Sequence, residues 1–356
     1  FEGGKVMRGK PGSLTKAIKV LAIPLAVLVG AVVFLGILHS PVQAEGLKKV
    51  TLRLSWLKEV GDHVPYYVAI DKGYYAKEGL DLKLFAGKGS PGTIKLLGGS
   101  AAGVFGLAGY ESMATAVHQG VPVKGIFSIM QQNPMAVISH SDKPIKSVKD
   151  LVGKKYAVSP QSNQEIMFYA VLAAQNIPRE RVKIVHAAFN LANTLLLERK
   201  VDAMLQWFPT AVPILESKGA KVHYLKYADM GVNVPANGLN ANLKTIKEQP
   251  ELIRKFLAAT AKGFQLTRVN PEAAVAMMAK HLPRAAGKEK AITKNLKLAL
   301  ELWYTPNTKD KPIGWILDKD WDDALNVLVK VKRIDKKFPH DKYYTNEFNP
   351  GVKWKW

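Results

Sequence analysis

Several aromatic side chains are placed where they could form the walls of a cleft for a flat or apolar ligand. Trp56, Tyr66 and Tyr110 occur in the first third of the chain, and Trp207 and Phe208 are neighbours further on. All five lie at or near predicted strand ends. An aromatic ring there offers a large apolar face, and the polar O–H of Tyr or N–H of Trp can stay in contact with water. Core packing uses the same residue types. The residues therefore predict cleft walls, with core packing as the alternative.

Polar side chains could complete such a cleft. His63 can donate or accept one hydrogen bond. The stretch 159–165 offers Ser159, Ser162 and Asn163 at the predicted amino terminus of a helix, which suits an anionic or polar group. Helix capping alone is the alternative for that stretch.

The stretch Gly87–Gly92, GKGSPG, formally matches the GxGxxG pattern of dinucleotide sites, and Glu111 follows about twenty residues later. Such a motif normally follows the first strand of its unit, whereas this one follows the second, and Pro91 stiffens the turn. A dinucleotide site is thus an alternative to a simple cleft-lining turn.

Metal and thiol chemistry have little basis in the sequence. The chain has no cysteine, which excludes disulfides, thiolate nucleophiles and cysteine-ligated metals. Its eight histidines show no i, i+4 or HxH pairing. No serine–histidine–acid motif or paired-carboxylate signature stands out. We therefore expect no metal, no cofactor and no catalysis.

Strands and helices alternate along the chain, which favours an α/β fold with parallel sheets. Strands are predicted over 50–56 and 80–87, with a helix between them. Ligands of open α/β sheets bind beyond the carboxyl ends of the strands, where Trp56, His63 and the Gly87–Gly92 turn fall. A polar, proline-containing segment near 134–142 indicates a change of lobe, and amphipathic helices after Glu251 indicate an outer shell.

Four blocks carry a family resemblance: AIDKGYYAKEGLD at 69–81, KSVKDLVGKKYAVS at 146–159, ERKVDAMLQWFP at 198–209 and YYTNEFNP at 343–350. Together they resemble the periplasmic solute-binding proteins of ABC importers, in the group that includes thiamine-pyrimidine, alkanesulfonate, taurine and nitrate binders. The resemblance covers about residues 47–350.

The resemblance implies a type II periplasmic-binding-protein fold with two lobes, each a mostly parallel sheet flanked by helices. Lobe 1 would comprise 45–135 and 236–356, including a carboxyl-terminal helical shell, and lobe 2 would comprise 136–235. The Gly87–Gly92 turn would line the cleft, and amides near the hinge could add contacts. The predicted ligand contacts are Trp56, His63, Tyr66, Gly89, Ser90, Tyr110, Gln132, Asn133, Ser159, Ser162, Asn163, Trp207 and Phe208.

The blocks disagree about the ligand. Resemblance to the pyrimidine binders implies a glutamate after the VDA at 201–203, but the aligned position is Val212 and Glu216 lies a turn further on. The segment 201–222 is closer to the sulfonate and taurine pattern. The ligand is therefore expected to be a small organic solute, either thiamine-pyrimidine-like or sulfonate-like.

The first 44 residues read as an export segment. Five basic residues precede a 19-residue apolar run at 20–38, and Val42 and Ala44 suit signal-peptidase cleavage. The run is also about long enough to span a bilayer, so a cleaved signal and a retained apolar anchor helix are both open. Either one sends the body to the periplasm or another extracytoplasmic space.

Residues 45–356 carry 46 basic and 28 acidic residues, a formal excess of 18. Such charge favours anionic lipid surfaces, acidic partners or anionic ligands, or forms a solvated lysine surface. No nucleic-acid module is present. The leading function is an importer's binding protein that closes two lobes over its solute beside an inner-membrane permease. The alternatives are a membrane-anchored accessory subunit of a larger membrane complex, and a pyrimidine-synthase-like enzyme, whose cysteine-rich motif is missing.

Overall fold

A computed structural model describes residues 46–355 of the chain. The predicted export segment 1–44, with its apolar run 20–38, lies outside the described residues.

The first sheet is built from five strands: β1 Lys48–Arg53, β2 Leu80–Phe85, β3 Val104–Gly109, β4 Val123–Met130 and β10 Asn237–Asn242. Their order is β2-β1-β3-β10-β4. β1 is parallel to β2 and β3, whereas β10 is antiparallel to both β3 and β4. One strand of this sheet is therefore reversed relative to the other four.

The second sheet repeats this plan with β5 Met135–His140, β6 Lys155–Val158, β7 Lys183–His186, β8 Ala203–Trp207 and β9 Val222–Lys226. The order is β7-β6-β8-β5-β9, and β5 is the reversed strand. In each sheet the reversed strand is the one that the chain enters directly after crossing from the other sheet. The predicted fold of two mostly parallel sheets flanked by helices is confirmed.

Twelve α-helices are described: α1 Val64–Asp71, α2 Tyr74–Lys77, α3 Ser90–Gly98, α4 Tyr110–His118, α5 Asn163–Ala174, α6 Phe189–Leu197, α7 Phe208–Ser217, α8 Leu243–Glu248, α9 Pro250–Val269, α10 Pro271–His281, α11 Glu289–Leu300 and α12 Asp318–Lys330. Short 3₁₀ turns join several of them.

Helix α9 packs against the first sheet and against α1 through aromatic contacts. On α9, the Phe256 ring stacks on Phe105 of β3 with 4.1 Å between centroids, and Phe264 meets Tyr66 edge-on at 5.8 Å. Rings packed in this way bury large apolar areas. Helix α9, one helix of the predicted shell, thus contributes to the core beside the first sheet.

The amino terminus of α10 offers a local test of helix capping. The Asn270 side chain accepts a hydrogen bond of 3.0 Å from the Ala273 amide, which would otherwise lack a helical partner. Asn270→Ala is expected to lower the free energy of unfolding by about 1 kcal/mol, as measured by urea denaturation. A loss below about 0.3 kcal/mol would contradict this expected contribution of the cap.

Candidate functional site

A cavity of about 220 Å³ lies where the carboxyl ends of strands from both sheets meet. The first sheet contributes the segments that follow β1 and β2, and the second sheet contributes those that follow β6, β7 and β8. This is the edge at which open α/β sheets bind ligands. The lining residues are Ser55, Trp56, Val60, Asp62, His63, Lys88, Gly89, Ser90, Pro91, Ser159, Ser162, Asn163, Gln164, Phe189, Gln206, Trp207 and Thr210.

Aromatic rings from both sheets form the apolar walls. Trp56 follows β1, which ends at Arg53, and Phe189 opens α6 after β7. Their rings pack directly against each other edge-to-face, with 5.8 Å between centroids and 70° between planes. Trp207, the last residue of β8, adds a third ring. The cavity can therefore accept a flat ring among aromatic side chains.

The glycine-rich turn is bonded to the segment that carries Trp56. The Gly87 amide donates to the Trp56 carbonyl at 3.1 Å, and the Gly89 amide donates to the Ser55 carbonyl at 2.7 Å. A Cβ atom on Gly87 would lie 2.1 Å from the Leu54 carbonyl oxygen, so a side chain cannot be accommodated at this approach. The glycine pattern thus has a packing reason here, which is to position Trp56 at the cavity.

Two adjacent polar residues, Asp62 and His63, form a buried end of the cavity. Both lie in a 3₁₀ turn before α1 and are 7% and 1% exposed. His63 Nε2 is 3.8 Å from the Asp62 carboxylate, and His63 Nδ1 has no hydrogen-bond partner among residues 46–355. The Asn295 side-chain oxygen of α11 accepts the Gly61 amide and so holds this turn. Buried polar groups are normally paired, so this end is suited to hydrogen-bond a ligand.

Polar groups from the second sheet are already partly engaged. The Ser162 hydroxyl caps α5 by accepting the Glu165 amide at 3.3 Å, and the Ser159 hydroxyl donates to the Ala187 carbonyl at 3.4 Å. Gln206 Oε1 accepts a weak bond of 3.4 Å from Gln164. Because hydroxyls can make further bonds, both serines keep capacity toward the cavity.

Eight of the predicted contacts line the cavity: Trp56, His63, Gly89, Ser90, Ser159, Ser162, Asn163 and Trp207. Sequence reasoning missed several lining residues, among them Asp62, Phe189 and Gln206. Asp62 could be predicted from the sequence, because it directly precedes the predicted ligand contact His63.

The other three predicted aromatics lie in the core. Tyr66 packs on Phe264, Tyr110 packs on Trp321 at 5.0 Å, and Phe208 stacks on Tyr224 at 4.9 Å. All three are buried. The core-packing alternative therefore describes their surroundings.

The predicted hinge amides are used within the protein. Gln132 Nε2 donates to the Tyr304 carbonyl at 2.8 Å, and Asn133 Nδ2 donates to the Val232 carbonyl at 3.2 Å. Asn133 therefore ties the β4–β5 connection to the β9–β10 connection. Neither amide lines the cavity.

The segment that was expected to carry a glutamate supplies no acid to the cavity. Val212 of α7 is buried, and Glu216 forms an ion pair with Lys294 of α11. Among the lining residues, Asp62 contributes the carboxylate.

A family model described as NMT1/THI5 like matches residues 60–274. The chain belongs to this family. Riboflavin-binding protein RibY of Chloroflexus aurantiacus, a similar protein, is 27% identical over 310 residues, which cover 86% of this chain and 87% of the relative. Formylaminopyrimidine-binding protein of Halalkalibacterium halodurans is 24% identical over 320 residues, with coverages of 88% and 93%.

Solved structures extend the comparison of this NMT1/THI5-like chain. The periplasmic aliphatic sulphonate binding protein SsuA from Escherichia coli matches with a TM-score of 0.64 at 17% identity, over 83% of this chain and 91% of that one. The chain thus has the periplasmic-binding-protein fold, and the predicted resemblance to periplasmic solute-binding proteins is confirmed. Within residues 46–355, no helix is long and apolar enough to cross a membrane.

Proposed function

We propose that this protein binds a small, flat, nitrogen-containing heterocycle outside the cytoplasm and delivers it to an ABC permease. The observation that carries the proposal is the pair Asp62 and His63, which face a cavity with aromatic walls. A carboxylate accepts N–H bonds, and an imidazole can donate or accept one. The edge of an amino-substituted heterocycle offers complementary groups, and its faces suit Trp56 and Trp207.

The size of the cavity favours a single-ring ligand. Its volume of about 220 Å³ is below the roughly 300–1,000 Å³ of pockets that bury drug-sized ligands. Of the ligands in the names of the two binding-protein relatives, formylaminopyrimidine has one ring, whereas riboflavin has three fused rings and a sugar-alcohol chain. We therefore place the formylaminopyrimidine class first.

A sulfonate is the second candidate ligand because of the SsuA likeness and the helix amino termini at Ser90 and Asn163, which attract anions. The buried Asp62 carboxylate opposes it, because like charges repel strongly away from water. Lys88, the cation among the lining residues, is exposed. The charge distribution thus favours a ligand without a full negative charge near Asp62.

The importer role extends this proposal to the whole chain. Residues 45–135 with 236–356 would form one lobe and 136–235 the other, and the lobes would close over the solute about a hinge. The two relatives reported above are named as binding proteins, which supports binding, whereas a further relative from Legionella pneumophila, 24% identical over 309 residues, is named a pyrimidine phosphate synthase. The export segment 1–44 would place the body outside the cytoplasm, as a cleaved signal or a membrane tether. A tethered accessory subunit remains the alternative role.

A ligand panel measured by isothermal titration calorimetry tests the proposal. We expect purified protein to bind formylaminopyrimidine with at least about tenfold higher affinity than riboflavin or taurine, since the cavity is small and carries a buried acid. Trp56→Ala should weaken that binding without unfolding the chain. Preferential binding of taurine, or no binding of any compound, would contradict the proposed ligand class.

A further inference from the structure

Two hydrogen bonds join the helices that begin at the carboxyl edges of the two sheets. Asn163 Nδ2 donates to Glu111 Oε2 at 3.2 Å, and the Ser112 hydroxyl donates to Asn163 Oδ1 at 3.0 Å. Glu111 and Ser112 belong to α4, which follows β3 of the first sheet. Asn163 is the first residue of α5, which follows β6 of the second sheet. The pair of bonds, called here the Asn163 contact, therefore links the two halves of the fold.

Asn163 also lines two cavities. It lines the ligand cavity described above, and together with Glu111 and Ser112 it lines a second cavity of about 430 Å³. The side chain that bonds the two helices is thus the same one that a bound solute would meet. A bound solute and the Asn163 contact would therefore both involve the Asn163 side chain.

The backbone at Gly109 is shaped to admit this contact. A Cβ atom there would lie 2.6 Å from Asn163 Nδ2 and 2.9 Å from Glu111 Oε2, so a side chain would displace both groups. The backbone angles of Gly109 are φ −65° and ψ 140°, which any residue adopts without strain. Its amide donates to the hydroxyl of Ser90, another cavity residue, at 2.8 Å. The absence of a side chain at Gly109 therefore provides room for the Asn163 contact.

Loss of the Asn163 contact is also unfavourable in free energy, because Glu111 is buried. Glu111 is 4% exposed, and its Oε1 atom has no hydrogen-bond partner within the described part of the chain. The amide of Asn163 is the side-chain donor that reaches the carboxyl group. A buried polar group that loses its partner is strongly destabilised. Separation of α4 from α5 would leave the buried Glu111 carboxyl without this donor, which makes separation unfavourable.

We infer that Asn163 is a positioning residue that couples occupancy of the ligand cavity to contact between the two sheets, by bonding Glu111 and Ser112 across the cleft. The inference rests on the proposed binding of a solute. Opening of the cleft breaks both bonds, and a solute packed against Asn163 favours the orientation in which both are made. A ligand shifts such an equilibrium by binding one arrangement better than the other.

Distance measurements between spin labels test this coupling in the full chain. The sequence has no cysteine, so Ala86→Cys with Asn190→Cys gives a single label pair at exposed positions on opposite sides of the cavity. In this background Gly109→Ala should shift the distance distribution to longer values and weaken formylaminopyrimidine binding about tenfold, because the closed population falls. Ser112→Ala should produce a smaller shift of the same sign.

Thr115→Val is the matched control. Thr115 lines the second cavity one turn along α4, but its hydroxyl bonds the Glu111 carbonyl within the same helix. It should leave distances and affinity unchanged. A Gly109→Ala distribution that superimposes on the parent, with circular dichroism showing a folded chain, would overturn the inference. If the parent binds no compound of the panel while Gly109→Ala still lengthens the distance, the proposed ligand class fails and the closure contact stands.

Discussion

Asp62→Asn is expected to lower the affinity for formylaminopyrimidine by about 100-fold, equivalent to about 2.7 kcal/mol. The substitution keeps the shape of the side chain but replaces one acceptor oxygen by an N–H donor. A ligand N–H that met the carboxylate would then face another donor, and a buried mismatch of this kind costs more than a lost contact. Calorimetric titration of the variant beside the parent protein measures the effect.

Asp81→Asn is the control for this change. Asp81 lies on β2 away from the cavity, half-buried and paired with Lys83 at 3.1 Å. Surface pairs of this kind contribute little, so the affinity should change less than about twofold. An Asp62→Asn variant that binds as tightly as the parent would remove Asp62 from the binding site and, with it, the main reason to prefer a heterocycle over a sulfonate.

Glu111→Gln is expected to change how stability depends on pH. Burial raises the pKa of Glu111 to about 8, because the charged form loses its hydration in the protein interior. Between the ordinary glutamate pKa and about 8, the unfolded chain has released this proton and the folded chain has kept it, so rising pH lowers stability. Gln resembles the neutral acid and has no such dependence. From pH 4 to pH 7, the free energy of unfolding of the Glu111→Gln variant should therefore rise by about 3 kcal/mol relative to that of the parent protein. Urea denaturation at each pH measures this shift.

Glu165, on α5, is a control for which the opposite dependence of stability on pH is expected. Burial alone would raise its pKa, but hydrogen bonds from His186, Tyr169 and the Gln161 amide outweigh burial and lower it. Its contribution to stability is present above the pKa of the unfolded chain and is lost as pH falls. Glu165→Gln should thus lose stability relative to the parent as pH rises. A parallel pH dependence in the Glu111→Gln variant and the parent would show that Glu111 is ionised in the folded protein at neutral pH.

The strands and the edge at which the cavity lies could be predicted from local pattern. Trp56, Ser159 and Trp207 line the cavity and stand at or just beyond predicted strand ends, because the carboxyl ends of parallel strands converge. Phe189 likewise follows the end of a strand, β7, and lines the cavity. Gln206 lies inside β8, where sequence alone does not fix which face points toward a cleft.

Some of the predicted contacts do not line the cavity, because packing between residues distant in sequence determines where their side chains lie. Tyr66 and Tyr110 lie near helix starts, but the rotation of each helix turns their rings toward Phe264 and Trp321. Gln132 and Asn133 bond carbonyls about 100 or more residues away in sequence. No local spacing predicts such partners. They depend on how distant segments, such as the β4–β5 and β9–β10 connections between the two sheets, pack beside each other.

The order of strands in the first sheet also has a consequence for folding. β4 is joined to its sheet through β10 alone, and β10 follows β4 only after the whole second sheet has been made. Until residues 237–242 pair, β3 and β4 each leave an unpaired strand edge, and such edges promote association between chains. Pairing so distant in sequence is slow, since a long loop must close first. A fragment that ends before residue 237 would therefore aggregate rather than fold into a smaller stable unit.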